Sequence, residues 1–270
     1  MDGTLAIIGT GRIGEALLRG LLSAGSVTPD QVICTAQREE RCDELARDHA
    51  VKATTDNRAA VEAADIVFLA LKPQVLLDVI APAAGAFRTD QTVISVAAGT
   101  TTAAIQDAIP GEVPVVRVMT NTPVQVDEAM SVICAGTHAT EQDLALAEDL
   151  MAHVGQVIRL PESHLDAVTA LSGSGPAYLF LLAEAMIDAG ILLGLPRDVA
   201  SRLIVQTMVG SAKMLRDTGS HPVELREMVT SPGGTTIAAI RELERSKVRA
   251  AFLDAIEAAR DRGEELSRRA

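Results

Sequence analysis

Two clusters of small and hydroxyl-bearing residues carry the chemistry legible in this sequence. The first is Gly9-Thr10-Gly11-Arg12-Ile13-Gly14. It follows a short apolar run, Leu5–Ile8, and opens a stretch in which Ile13, Leu17, Leu18, Leu21 and Leu22 recur at helical spacing. In a strand–turn–helix unit the first glycine permits the tight turn. The second lets backbone approach a pyrophosphate, and the third lets the helix pack on the strand. The N–H groups and dipole of the helix start then favour an anion. The second cluster is Ser231-Pro232-Gly233-Gly234-Thr235-Thr236, also ahead of a helical pattern. Its glycines expose N–H groups, and Ser231, Thr235 and Thr236 add hydroxyl donors, a set suited to a small carboxylate. The plainer alternative is a helix N-cap after a Pro-Gly turn.

What the glycine loop holds is read from the end of the next strand, Val32–Thr35. Dinucleotide sites for NAD place an acid there, about 20 residues past the loop, for the ribose hydroxyls. This chain instead has Thr35-Ala36-Gln37-Arg38. A hydroxyl and a guanidinium suit a 2′-phosphate, which favours NADP, with NADPH preferred over NADH. Arg38 as a solvated charge at a helix start is the alternative. Residues 65–71 form a continuous apolar run ending in Ala70-Leu71-Lys72-Pro73, as a central parallel strand would at its ligand-binding carboxyl edge. Residues 92–97 form another, followed by Ala98-Gly99. The small residues Ala97, Ala98 and Gly99 leave room for a ribose or nicotinamide ring.

The elements that position these residues alternate strand and helix up to about residue 160. Further strands are expected at 51–53, 115–119, 130–135 and 156–159, with Asp56 or Asn57 capping a helix. The polar loop Thr120-Asn121-Thr122-Pro123 joins two of the strands. From Pro161 onward strand signals stop. Residues 165–194 read as two helical pieces joined at Gly173-Ser174-Gly175-Pro176, and helices are expected over 196–215, 222–229 and 251–266. The fold class is therefore α/β: an N-terminal Rossmann-like dinucleotide-binding domain over residues 1–160, then an all-α domain over 161–270 for substrate and dimerisation. Alternating charges from Arg260 to Arg269 read as a solvated helix face.

The 270 residues are 48% hydrophobic and 2% aromatic, with a formal net charge of −12. That balance argues against nucleic-acid and anionic-membrane surfaces. Cys34, Cys42 and Cys134 show no paired spacing and read as reduced, buried thiols. The first strand comes too early to leave room for a signal peptide, and Glu184 and Asp188 interrupt the most apolar stretch. A soluble, cytoplasmic protein is expected. The five histidines are scattered without metal-ligand spacing, so no metal is expected.

Taken together the motifs resemble pyrroline-5-carboxylate reductase, the family that catalyses the last step of proline synthesis. The resemblance is carried by GTGRIG, DIVFLALKP, VAAGT and VRVMTNTP, then by AVTALSGSGPAY, AGILLGLPR, QTMVGSAKM and HPVELREMVTSPGGTT. It covers nearly the whole chain in order. Thr120 departs from it, standing where the family usually has Pro, which loosens that turn and adds a donor. The resemblance implies hydride transfer from NADPH to a cyclic imine carrying a carboxylate, giving L-proline, with neither nucleophile nor metal. It implies that residues 231–236 bind that carboxylate and that Thr169 lies beside the ring, where its hydroxyl bonds the imine nitrogen or relays a water proton. A Thr bonding its own i−4 carbonyl is the plainer reading of Thr169. Asn57 and Asn121 join the cofactor set, as does Glu162, which matches an acid on the nicotinamide side. Interlocked C-terminal domains are implied to form a homodimer, with dimers assembling into a decamer. Two rivals stay open. Another imine or β-hydroxyacid reductase would want a Lys on the long helix, yet no Lys occurs between Lys72 and Lys213. A non-catalytic, dinucleotide-binding regulatory relative would have no use for a carboxylate pocket.

Overall fold

A computed structural model describes residues 3–267, so Arg268 and Arg269 of the charged helix face lie outside the described residues. The chain runs β1 (Leu5–Ile8), α1 (Arg12–Ser23), β2 (Val32–Thr35), α2 (Glu39–His49), β3 (Lys52–Thr54), α3 (Asn57–Ala63), β4 (Ile66–Leu69), α4 (Pro73–Ile80), β5 (Thr92–Ser95), α5 (Thr102–Ala108) and β6 (Val115–Met119). It continues with β7 (Ala129–Ala135), α6 (Glu141–Ala152), β8 (Gly155–Arg159) and α7 (Leu165–Val168). Then come α8 (Gly175–Leu192), α9 (Arg197–Thr218), α10 (Pro222–Met228), α11 (Thr235–Arg245) and α12 (Val248–Ser267). Two compact units result. One runs to Ser174 and takes the chain back from Ala259; the other is Gly175–Ala258.

The first unit is a sheet in the order β3-β2-β1-β4-β5-β6-β7-β8, parallel from β3 to β6. Strand side chains alternate between two apolar layers. Leu5 and Ile7 pack with Leu17 and Leu21 of α1 and Leu150 of α6, whereas Ala6 and Ile8 pack with Val61 of α3, Leu76 of α4 and Ile105 of α5. Helices thus cover both faces, which is why β1 and β4 are apolar at every position. The apolar runs overreach the strands they announce. Residues 65–71 give a strand of Ile66–Leu69, because its neighbour β1 turns away after Ile8, and residues 92–97 give Thr92–Ser95. The freed Ala70-Leu71-Lys72 and, past the second strand, Ala98 line the clefts described below. Asp56 caps α3, accepting from Ala59 N–H at 3.0 Å.

Antiparallel pairing of β6 and β7 was not legible in the sequence. It places Thr120 beside Ser131, whose Oγ donates to Thr120 Oγ1 at 2.9 Å in a buried pair. The extra hydroxyl of this turn is therefore satisfied. The three thiols are free and buried, and burial pushes Cys34 and Cys134 up to about 11.

The second unit is helical. Pro196 stands directly before α9, Pro222 opens α10, and Gly194 ends the α8 region at φ 91°. Among its described residues Ala200, 2% exposed, is the one that reaches full burial. Leu179, Phe180 and Leu181 follow one another at about 100° intervals round α8, and all are exposed, Phe180 and Leu181 at 67%. Glu162–Leu192 is long and apolar enough, by length and composition, to cross a membrane.

Candidate active site

The carboxyl ends of β1, β2 and β4 enclose a cleft of about 620 Å³, at the point where the strand order reverses. Its floor is the glycine turn. Gly9 has φ 82°, and a Cβ there would collide with Leu71. Gly11 is open: a Cβ would meet nothing within 4 Å, so backbone is accessible to a ligand. At Gly14 a Cβ would stand 3.1 Å from Ala70 Cβ and 3.2 Å from Ile7 Cγ2, the close contact of helix and strand. The three glycines thus differ in their surroundings: a left-handed turn, open backbone and a tight helix–strand contact. Gly11 also precedes α1 without any side-chain cap, leaving the helix-start N–H groups available.

Thr35, 1% exposed, accepts from Gly9 N–H at 3.0 Å, and its carbonyl accepts from Thr10 N–H at 2.7 Å. Its hydroxyl oxygen therefore braces the glycine turn. Arg38 is exposed at the start of α2 and lines the cleft, and its guanidinium makes no hydrogen bond or ion pair to a described residue. Asn57, Ala70, Leu71 and Lys72 line the same cleft. So does Arg41, which sequence reasoning missed although it stands one helical turn after Arg38. It is held by Glu15 of α1 and by Glu44 at 3.0 Å. The residues present fit an NADP-type dinucleotide: open backbone at Gly11 for the pyrophosphate and an unpaired guanidinium for a phosphate at the adenosine end.

A second cleft, about 630 Å³, adjoins at the start of α4, where Lys72 faces the first and Pro73 the second. Ala98, Gly99 and Thr100 form one wall; Asp166 and Thr169 form another. Thr169 begins a π-helical turn, Thr169–Gly173, closed by Ser174 N–H donating to Thr169 O at 2.8 Å. Such turns recur at functional sites, and none was legible here. Thr169 Oγ1 donates to Leu165 O at 2.7 Å. The i−4 bond of the plainer reading is thus made, and with the only hydroxyl proton spent there, the oxygen lone pairs remain. The turn is tied down on its other side. Asn121 Nδ2 donates to Ser172 O at 3.0 Å while Asn121 Oδ1 accepts from Met130 N–H at 3.0 Å, and Gly173 packs against Met119 so closely that a Cβ would overlap it.

Arg12, Ile13, Gly14, Ala97, Asn121 and Glu162 line neither cleft among the described residues. Ala97 is buried, and Ile13 packs on the core. Glu162 lies before α7, with its carboxylate fully engaged. Oε1 accepts from Thr102 N–H at 2.8 Å and from Arg117 Nη1 at 2.9 Å; Oε2 accepts from Thr102 Oγ1 at 2.7 Å. Burial pushes this carboxyl up, but the bonds from Thr102 and Arg117 prevail and hold it below the usual carboxylate range.

In the helical unit, residues 231–236 form a loop entering α11. Gly233 has φ 68° with open space around it, and Gly234 precedes the helix without any side-chain cap. The N-capping of the plainer reading is not made by Ser231, Thr235 or Thr236. None of their hydroxyls bonds a described residue, so the helix-start N–H groups and three hydroxyls are available together.

Residues 162–266 match the family described as pyrroline-5-carboxylate reductase dimerisation, and residues 4–99 match NADP oxidoreductase coenzyme F420-dependent. Pyrroline-5-carboxylate reductase of Corynebacterium melassecola is 45% identical over 98% of this chain and 99% of its own. A solved pyrroline-5-carboxylate reductase from Coxiella burnetii is similar at TM-score 0.91 and 36% identity, over 98% of this chain and 99% of that one. The Plasmodium falciparum pyrroline carboxylate reductase, solved with NADP bound, is similar at TM-score 0.89 and 26% identity, over 98% of each chain.

Proposed function

The chain belongs to the pyrroline-5-carboxylate reductase family, and from that premise we propose how its own residues carry out the reaction. The activity is NAD(P)H-dependent reduction of the C=N bond of 1-pyrroline-5-carboxylate to L-proline. NADPH, when bound, supplies the hydride. The observation that carries the assignment of roles is the pair of adjoining clefts meeting at Lys72-Pro73. The turn Gly9-Thr10-Gly11, open at Gly11, brings the pyrophosphate to the uncapped N–H groups at the start of α1, and Arg38 takes the 2′-phosphate. Ala98, Gly99 and Thr169 surround the reacting end.

The substrate's two polar groups have separate holders. The loop of residues 231–236 binds the carboxylate through helix-start N–H groups and hydroxyls. Thr169, its proton committed to Leu165 O, meets the ring nitrogen as an acceptor. It therefore favours the protonated imine, the form most receptive to hydride. Catalysis by this chain is positioning of two ligands and selection of a protonation state. The helical unit, without a core of its own, is the dimerisation region. The working assembly is a soluble, cytoplasmic homodimer, with higher assembly to a decamer.

The function test is direct: purified protein should oxidise NADPH in proportion to added imine and not without it. NADPH binding without imine-dependent oxidation would leave only a dinucleotide-binding relative. Two residue tests accompany it. Arg38→Ala should raise the apparent KM for NADPH about tenfold, as for loss of one charge-assisted contact, and leave NADH kinetics nearly unchanged. Equal losses with both cofactors would remove Arg38 from the 2′-phosphate. Thr169→Ala should lower kcat about fivefold with KM for the imine within about twofold, and Thr169→Ser should restore it. An unchanged kcat in the alanine variant would return Thr169 to its i−4 bond alone.

A further inference from the structure

We propose that Glu162 is a positioning residue for hydride transfer, acting through Thr102 and Arg117 to fix the two walls of the second cleft. The inference rests on that cleft being the reacting end. One wall, Ala98-Gly99-Thr100, leads directly into α5, whose first residue is Thr102. The other wall, Asp166 and Thr169, stands on the segment that Glu162 opens. Glu162 is the point where these segments meet, gripping Thr102 through both N–H and Oγ1 and gripping Arg117 of β6 through Nη1.

Arg117 ties the junction to the sheet. It is 3% exposed, in the middle of the sheet, and Glu162 is its ion-pair partner at 2.9 Å. Its Nη2 is buried with no hydrogen-bond partner among the described residues. A buried guanidinium so poorly supplied holds its counter-ion in place, because releasing it would leave an unpaired charge in low dielectric. The carboxylate is thereby pinned from the sheet, and it pins the start of α5 in turn. Glu162 touches neither cleft itself, so its effect passes through the separation of Gly99 and Thr169. Small misplacements of reacting groups cost rate rather than binding.

The test uses full-length protein and three variants. Thr102→Val removes the Oγ1 contact and leaves the ion pair and the Thr102 N–H bond. Glu162→Gln can keep the hydrogen-bond geometry, with Oε1 accepting as before and Nε2 donating to Thr102 Oγ1, while losing the charge of the ion pair with Arg117. Glu162→Ala removes all of these contacts. Expected are a fall in kcat of about tenfold or more for Glu162→Ala and about threefold for Thr102→Val. Kd for NADPH should stay within about threefold throughout, and Glu162→Gln should recover at least about a third of wild-type kcat. The proposal is overturned if Thr102→Val and Glu162→Ala both keep wild-type kcat. It is also overturned if kcat falls only together with the melting temperature and NADPH affinity, with no recovery in the glutamine variant. Wild-type turnover, measured alongside, separates either failure from failure of the functional assignment itself.

Discussion

Met208→Glu should yield a protein that still binds NADPH but neither dimerises nor reduces the imine. Met208 lies on α9 with Leu203, Ile204, Val205 and Val209, and these residues occupy more than one side of the helix. Leu203, Val205 and Val209 are exposed in the single chain. A helix apolar on several sides is built to be covered on several sides, and the match of residues 162–266 to a dimerisation family is the ground for expecting a second copy as the cover. In a twofold interface each substitution is present twice. Covering a methionine contributes about 1.5–3 kcal/mol, and an unpaired carboxylate in its place adds a desolvation cost of several kcal/mol. Loss of the dimer removes the support of the whole helical unit, and with it the 231–236 loop. The first unit has its own two-layered core, so NADPH binding should survive. Sedimentation equilibrium and NADPH titration on one preparation check this. A fully active monomer would contradict it.

Thr236→Val is expected to lower kcat/KM for the imine by roughly 10- to 150-fold, corresponding to about 1.5–3 kcal/mol for a hydrogen bond to a charged group. The substitution keeps the shape and removes the hydroxyl, which is partly exposed at the second residue of α11 and bonds no described residue. The carboxylate does not change charge during reduction, so most of the loss should fall on KM. NADPH affinity should hardly move, since Thr236 and the glycine turn belong to different compact units. Steady-state kinetics at saturating NADPH would show the shift. Unaltered imine kinetics would place the carboxylate elsewhere. The contrast with Thr169→Ala, read in kcat, separates the anchor from the nitrogen contact.

How much was legible depended on how local each cause is. The glycine turn, the central strands and the Pro-initiated helices follow from residues adjacent in sequence, so their positions could be read directly. The exposed apolar circumference of α8 was equally plain, because 3.6-residue periodicity needs no tertiary information. Long-range partnerships were not legible. Thr35 reads as a ligand hydroxyl at a strand end, yet a contact with Gly9, 26 residues away, gives its oxygen a bracing task. Asn121 reads as a polar loop residue, but it spans Met130 and Ser172. Glu162 became intelligible only once Thr102 and Arg117 were seen to converge on it. Arg41 could have been found from its i+3 spacing to Arg38. The π turn at Thr169 has no sequence signature beyond the nearby glycines.

The most direct test of the central claim follows the hydride itself. NADPH carrying deuterium at the transferable position of the nicotinamide is incubated with the protein and unlabelled 1-pyrroline-5-carboxylate, and the product is examined by mass spectrometry and NMR. The expected product is L-proline with one deuterium, on the δ-carbon beside the ring nitrogen, formed in step with loss of NADPH. Unlabelled proline, label elsewhere, or no proline despite NADPH binding would contradict it.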